Sequence, residues 1–218
     1  MNGIVFATFG LLFAVAAQAY LLGCVNGAIL ASKLFFHDDV RRHGSGNAGL
    51  TNFYRTYGAK YALVVIFFDM GKAALGVLIG GAVLGWFLGW GIVGKYFSAF
   101  FCVLGHLFPA FYEFRGGKGI LCSATLLLCL DWRIALVCWA LFLVLWLTTR
   151  YVSLGSVTAA LVFPVMTALI YRDLYPILAA LGIAAMVLWA HRENITRLLH
   201  GTENKFRFHI NPSSEDKE

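Results

Sequence analysis

The sequence predicts an all-α integral membrane protein: a bundle of about seven transmembrane helices, with the N-terminus outside and the C-terminus cytoplasmic. Three observations predict it. Hydrophobic residues make up 60% of the 218 and charged residues only 13%, against about half and about a quarter in soluble domains. The apolar residues fall in long runs separated by short polar segments along the whole chain. The cations are shared unevenly between alternate polar segments, which is the pattern of the positive-inside rule.

The first span covers about residues 3–31, long enough to cross with tilt. It has no charged leader and no small-residue cleavage site, so it reads as a retained span rather than a signal peptide. Gln18 and Asn26, with Gly23, Gly27 and Ala28 beside them, suit close helix packing. A polar loop over residues 37–60 leads to a second span at 61–86 and a third at 92–108. A polar loop at 112–119 follows. The fourth span, 120–130, is short for a crossing, so its ends should extend into the flanking segments. After a turn at 131–133 come the fifth span at 134–148, a polar stretch at 150–156, the sixth span to 171, a turn at 172–173 and the seventh span at 175–190. The tail from His191 is polar. Residues 1–210 read as a single polytopic domain, and residues 211–218 as a short disordered polar tail.

Seven crossings put alternate polar segments on one side. That side carries Arg41, Arg42, Arg55, Lys60, Arg115, Lys118, Arg150, Arg192, Arg197, Lys205, Arg207 and Lys217, and the other only Lys95, Arg133 and Arg172. A bias of about twelve to three makes the first side cytoplasmic. Trp86, Trp90, Trp132, Tyr171 and Tyr175 fall near the opposite turns, as an interfacial aromatic belt would. Four polar stretches distant in sequence therefore meet at one membrane surface.

Each stretch carries candidate chemistry. His106, then Gly116, Gly117, Lys118 and Gly119, end in a loop whose bare amides, one cation and following helix N-terminus suit an anion; a glycine turn between spans, with Arg115 and Lys118 setting topology, explains the same residues. Ser45, Gly46, Asn47, Thr51, Asn52 and Arg55 offer small hydrogen-bonding groups and a guanidinium that can fork onto phosphate; a flexible loop with capping side chains is the alternative. Asp69 and Lys72 share a helix face inside the second span, where ionisable residues mark function or an internal pair that orders the bundle. Ser153 and Ser156 flank Gly155, placed to meet a ligand oxygen or to cap a helix. His191, Asn194 and Arg197 form a stripe at helical spacing, with Glu203 beyond it, suited to a phosphorylated substrate and a proton transfer; a solvated juxtamembrane histidine is the alternative.

Several chemistries are excluded. Cys24, Cys102, Cys122, Cys129 and Cys138 lie in apolar runs with no C-x-x-C pair, so neither a disulfide frame nor a zinc site is expected. The carboxylates do not cluster as metal ligands, and no cofactor is expected. There is no G-x-S-x-G elbow, no G-x-x-x-x-G-K-S/T loop, and no His followed after four residues by Asp. Basic residues beside spans reflect orientation and anionic lipid rather than nucleic acid.

Three motifs together resemble the bacterial membrane acyltransferases that move a fatty acyl group from acyl phosphate to glycerol 3-phosphate. They are Ser45-Gly46-Asn47-Ala48-Gly49-Leu50-Thr51-Asn52 with Arg55; Gly105-His106-Leu107-Phe108-Pro109 through Gly116-Gly117-Lys118-Gly119; and His191-Arg192-Glu193-Asn194-Ile195 through Arg197-Leu198, Gly201 and Glu203. Ala48 and Leu50 stand where Ile and Ala are more usual, and Ala73 follows Lys72 where Gly is. The resemblance implies that the Gly-Lys loop holds phosphate with Lys118 as its cation, that Ser45 and Arg55 help hold substrate, and that His191 and Asn194 line the reaction centre. A serine before the sixth span is implied too, with Ser156 preferred over Ser153. It further implies direct attack of the acceptor hydroxyl on the acyl carbon without an acyl-enzyme, the base being His191, Asp69 or the donor's phosphate. The implied products are lysophosphatidic acid and phosphate. The implied partners are glycerol 3-phosphate, acyl phosphate, membrane lipid and the soluble enzyme that supplies acyl phosphate; the implied place is the bacterial cytoplasmic (inner) membrane, multi-pass, with the site on the cytoplasmic side. A transporter of a phosphorylated anion, with Asp69 and Lys72 lining its path, is the rival expectation, and a non-enzymatic scaffold the third.

Overall fold

The computed structural model describes residues 2–206; the expected tail at 211–218, with Arg207 and Lys217, lies outside them. The described residues are helical with no strand. In chain order the α-helices are α1 (Asn2–Cys24), α2 (Gly27–Phe36), α3 (Leu50–Tyr57), α4 (Ala62–Leu88), α5 (Gly91–Leu107), α6 (Ile120–Leu130), α7 (Trp132–Thr149), α8 (Val152–Tyr171), α9 (Leu174–Ala190) and α10 (Arg192–Leu199). Short 3-10 turns lie at Val40–Arg42 and Ala110–Tyr112.

Every apolar run is helical because a chain without water must satisfy its backbone within the segment. Capping residues set several ends. Asp131 accepts from Arg133 N at the start of α7 and Asp173 from Tyr175 N at the start of α9. Gly89, at φ 72°, closes α4 in the left-handed conformation that suits glycine.

One expectation changes. The first span is not one helix: it breaks at Val25–Asn26, and a second helix continues to Phe36. Length and apolar character alone single out fewer than seven crossing helices among the described residues. Five helices are long and apolar enough to span, and six if α9 and α10, bent by 62° at His191, count as one. At eleven residues α6 rises only about 16 Å, against a hydrocarbon core of about 30 Å.

α5 lies at the centre, packed against α1, α4, α6 and α9, and α7–α8–α9 complete the bundle. α1 and α5 touch through backbone: a Cβ on Gly23 would overlap Cys102 O, and one on Gly105 would overlap Tyr20 O, the close approach that small residues permit in membranes. The interior holds Tyr96, Leu107, Leu126, Ile134 and Phe163, while Phe6, Phe67, Leu128, Leu147 and Leu169 face outward, toward lipid. At one end, Lys95 Nζ donates to Cys129 O (3.0 Å) and Tyr171 OH to Asp131 Oδ2 (2.8 Å). These bonds gather the start of α5, the α6–α7 turn and the end of α8. The polar stretches gather at the other end.

Candidate active site

The first polar loop folds around one side chain. Asn52 Oδ1 accepts from Ser45 N (3.0 Å), and its amide donates to the carbonyls of Val40 (3.1 Å), His43 (3.0 Å) and Asn47 (3.0 Å). Asn52, expected to bind substrate, borders the cavity, with its side-chain amide engaged by the loop. Gly46, at φ 69°, turns the loop and does not line the cavity. Ser45, Asn47, Thr51 and Arg55 do line it. Arg55 is exposed, in the last turn of α3, and forms no ion pair among the described residues.

The glycine loop corrects a second expectation. Gly116 N donates to Leu107 O (3.1 Å) and Gly117 N to His106 O (3.2 Å), so these two amides are spent on the protein and are not free to cradle an anion. Glycine is needed there for another reason. A Cβ on Gly116 would overlap His106 O, and one on Gly117 would sit 2.7 Å from Ala48 O. The loop lies flat on the end of α5. Lys118 is thereby aimed into the cavity, where its ammonium donates to Asn194 Oδ1, and Gly119 takes φ 77° to start α6. Burial lowers the Lys118 pKa from its ordinary value, and nearby Arg197 lowers it further, with Glu203 opposing. An arriving anion would offset that desolvation.

The 62° bend between α9 and α10 turns the third stretch inward. His191 is fully buried. Its Nδ1 faces Val187 O at 2.8 Å, and a carbonyl only accepts, so Nδ1 carries the proton. Nε2 then presents a bare lone pair and has no partner among the described residues. Gly201, at φ 68°, returns the chain so that Glu203 joins three groups. It accepts from Ser153 Oγ (2.8 Å), Asn194 Nδ2 (2.7 Å) and Arg197 Nε (2.8 Å). Burial alone would raise the Glu203 pKa, but these bonds outweigh it and hold the carboxyl below its usual range.

The two serines separate. Ser153 reaches Glu203 and lines the polar cavity; Ser156 donates to Val152 O (2.8 Å), one turn back, and lines a smaller apolar cavity of about 100 Å³. The geometry ranks Ser153 first, the reverse of the order the motifs suggest.

Asp69 and Lys72 form a buried ion pair at 2.8 Å beneath the polar residues. Lys72 Nζ also donates to Val25 O and to His106 Nδ1 (2.7 Å), and Asp69 Oδ1 accepts from Gly27 N (3.1 Å). An ammonium has no acceptor, so His106 carries its proton on Nε2. Asp69 and His106 border the cavity; Lys72 does not.

All four stretches line one cavity of about 570 Å³. Its polar wall is Ser45, Asn47, Thr51, Arg55, Lys118, Ser153, His191, Asn194, Arg197 and Glu203, and its apolar wall includes Leu63, Ile66, Leu121, Phe142, Trp146 and Phe206. A cleft with positive groups on one side and aliphatic and aromatic groups on the other fits an amphiphile with an anionic head. Among the described residues no group of three His, Cys, Asp or Glu is placed to hold a metal ion.

A family model described as glycerol-3-phosphate acyltransferase matches residues 12–201. The chain belongs to that family. The glycerol-3-phosphate acyltransferase of Thermoanaerobacter sp. (strain X514) is 37% identical over 190 residues, covering 87% of this chain and 93% of the relative. That of a Thermus thermophilus strain is 40% identical over 189 residues, 86% of this chain and 91% of the relative. Two crystal structures of PlsY (YgiH), described as an integral membrane glycerol 3-phosphate acyltransferase, superimpose on the fold. The glycerol 3-phosphate form gives a TM-score of 0.81 at 34% identity, over 90% of this chain and 96% of that one. The lysophosphatidic acid form gives 0.78 at 32%, over 90% and 95%.

This acyltransferase family member is a multi-pass membrane protein whose conspicuous polar residues meet in one cleft. Sequence reasoning misses its aromatic wall. Phe206 packs on Tyr54 (5.9 Å between rings) and Trp146 (5.7 Å), and its N–H donates to Arg150 O (2.8 Å). Trp146, at the end of an apolar run beside a polar stretch, is the signal that could have found it. Asn26 reads from sequence only as a packing residue; an amide followed by glycine inside an apolar run is the hint that the helix breaks there.

Proposed function

We propose that this protein transfers a fatty acyl group from acyl phosphate to glycerol 3-phosphate, giving lysophosphatidic acid and inorganic phosphate. One observation carries the reading: a single cleft holds two cations without an ion pair among the described residues, Lys118 and Arg55, a buried imidazole with a bare nitrogen, and an apolar wall. Two phosphates need two cationic positions, an acyl chain needs the apolar wall, and a hydroxyl losing its proton needs an acceptor. Family membership and relatives solved in glycerol 3-phosphate and lysophosphatidic acid forms support the acceptor and the product.

Acyl phosphate is already activated, so positioning and charge suffice. Lys118 holds the leaving phosphate and Arg55 the acceptor's. The primary hydroxyl of glycerol 3-phosphate attacks the acyl carbon, the bond from carbonyl carbon to phosphate oxygen breaks, and phosphate departs with the electron pair. The hydroxyl proton passes to His191 Nε2 or to a departing phosphate oxygen. Asp69 is less available to take the proton, because Lys72 and Gly27 N occupy its carboxylate. No acyl-enzyme forms: Ser156 donates to Val152 O, and Ser153 donates to Glu203, a carboxylate that Asn194 and Arg197 also hold and that is too weak a base to activate a hydroxyl. The cation bias supports a bacterial inner-membrane protein whose residues 1–210 act as one polytopic domain, N-terminus outside, with this cleft at the cytoplasmic leaflet, where a soluble enzyme can deliver the donor.

The test is purified protein with acyl phosphate and glycerol 3-phosphate, scored for phosphate release. Release that depends on acceptor is expected. Release without it would make the protein a hydrolase, equal use of acyl-CoA would overturn the donor, and movement of intact glycerol 3-phosphate into vesicles would favour the transporter.

A further inference from the structure

The first span breaks inside the apolar bundle, and the break is finished by polar groups that the transfer chemistry does not use. A helix interrupted away from water leaves carbonyls at the end of one piece and amides at the start of the next. Here Lys72 takes Val25 O and Asp69 takes Gly27 N. The cation sits at the C-terminal end of α1 and the carboxylate at the N-terminal start of α2, each matched to the local helix dipole. The ion pair is a splice for a broken helix.

The splice exposes one side chain to a second task. Asn26 is fully buried. Its Oδ1 accepts from Ile29 N (3.0 Å) and caps α2, while its Nδ2 donates to Ala48 O (3.0 Å), 22 residues away. Ala48, also fully buried, lies within the loop that carries Ser45, Asn47 and Arg55. The same carbonyl is the surface on which Gly117 packs, next to Lys118. Both loops that supply cations to the cleft are therefore registered against one carbonyl, and Asn26 holds that carbonyl.

We propose that Asn26, set at the helix break by Asp69 and Lys72, is a positioning residue that ties the Ser45–Arg55 loop to the membrane core and fixes where the acceptor's phosphate is held. The proposal rests on the acyl-transfer reading above. Its bond to Ala48 involves no group that the reaction uses, and the Lys118 loop is held separately by its own bonds to the His106 and Leu107 carbonyls, so Asn26 acts on placement of the acceptor and not on the acyl-transfer step.

Asn26→Ser and Asn26→Thr test it. Both residues are good N-caps, so α2 keeps its first bond, but neither hydroxyl reaches as far as the amide, so the tie to Ala48 is lost. The expected result is a KM for glycerol 3-phosphate raised about tenfold, the scale of one buried hydrogen bond, with kcat and the KM for the acyl donor within about threefold. Amide exchange in residues 43–52 should quicken, while α1 and α2 keep their protection. Wild-type acceptor KM in either folded variant overturns the proposal. So does loss of the folded protein in both, since a residue that only positions a loop is dispensable for folding. An unsubstituted protein that shows no acceptor-dependent phosphate release would fail the acyl-transfer reading instead, and the exchange comparison would still judge the tie.

Discussion

Two charged clusters of the protein, one under the cleft and one around it, differ in what each leaves unpaired. In the lower cluster, Asp69, Lys72 and His106 answer one another and the two backbone groups at the helix break. In the upper cluster, Glu203 gathers Ser153, Asn194 and Arg197. Yet among the described residues Arg55 makes no ion pair, Lys118 has a single neutral oxygen as partner, and His191 Nε2 has none. A buried charge that is fully answered holds structure. Charge left over beside a cavity is capacity for a ligand. The lower cluster stabilises the frame, and the upper one is poised to receive anions.

The largest expected effect would break this comparison if it failed. Lys72→Met strands Asp69 in an apolar interior and leaves Val25 O unanswered. Removing one partner of a buried pair costs about 3–5 kcal/mol, and the midpoint of thermal unfolding in detergent should fall by roughly 10 °C. Replacing both as Asp69→Leu/Lys72→Met should recover only part of the loss, because the two backbone groups at the break stay unpaired. Full recovery would show that the pair balances charge and splices nothing.

Lys118→Ala should do the reverse, leaving the melting midpoint unchanged within error and cutting kcat by about 10² or more, the scale of one lost contact to transition-state charge. Retained turnover would remove Lys118 from phosphate binding. A large loss of stability would move it into the structural cluster.

Glu203 lies between these extremes, since its three bonds organise groups that face ligand. Its carboxyl titrates below the usual range, so its contribution is complete above that range and fades as pH falls through the lower folded value. Loss of activity on the acid side should therefore include a Glu203 component. Glu203→Gln should lower kcat/KM about tenfold at neutral pH and remove that component; an unchanged acid limb would show that Glu203 does not titrate with function.

Much of this division is legible in the sequence, because a long apolar run kept from water must close its backbone bonds as a helix, which leaves the polar stretches at the ends. Each apolar run is a helix, and four polar stretches do converge on one cleft. What escapes depends on partners that no local pattern encodes. Asn26 looks like a packing amide until Ala48 is seen beside it, and the break it marks has no proline to announce it. Gly116 and Gly117 read as free amides, whereas their N–H groups are taken and it is their missing Cβ atoms that matter. The shortness of α6 is visible in the sequence, but that it still carries the chain from the polar end to the turn beside Lys95 and Tyr171 is not.

The smallest effect separates the serines and tests the comparison at its finest grain. α8 begins at Val152, so Ser153 lies in the first turn, where its hydroxyl is free to reach Glu203. Ser156 lies one turn on, where its hydroxyl folds back to the Val152 carbonyl, the usual retreat of a serine inside a helix. Ser153→Ala leaves one lone pair of Glu203 unanswered and should cost about 1 kcal/mol, or roughly fivefold in kcat/KM. Ser156→Ala removes a bond the helix does not need and should leave kcat/KM within about twofold. The opposite order would mean that Ser156 turns toward substrate in the loaded enzyme, giving up Val152 O, and that the smaller apolar cavity it lines belongs to the working cleft.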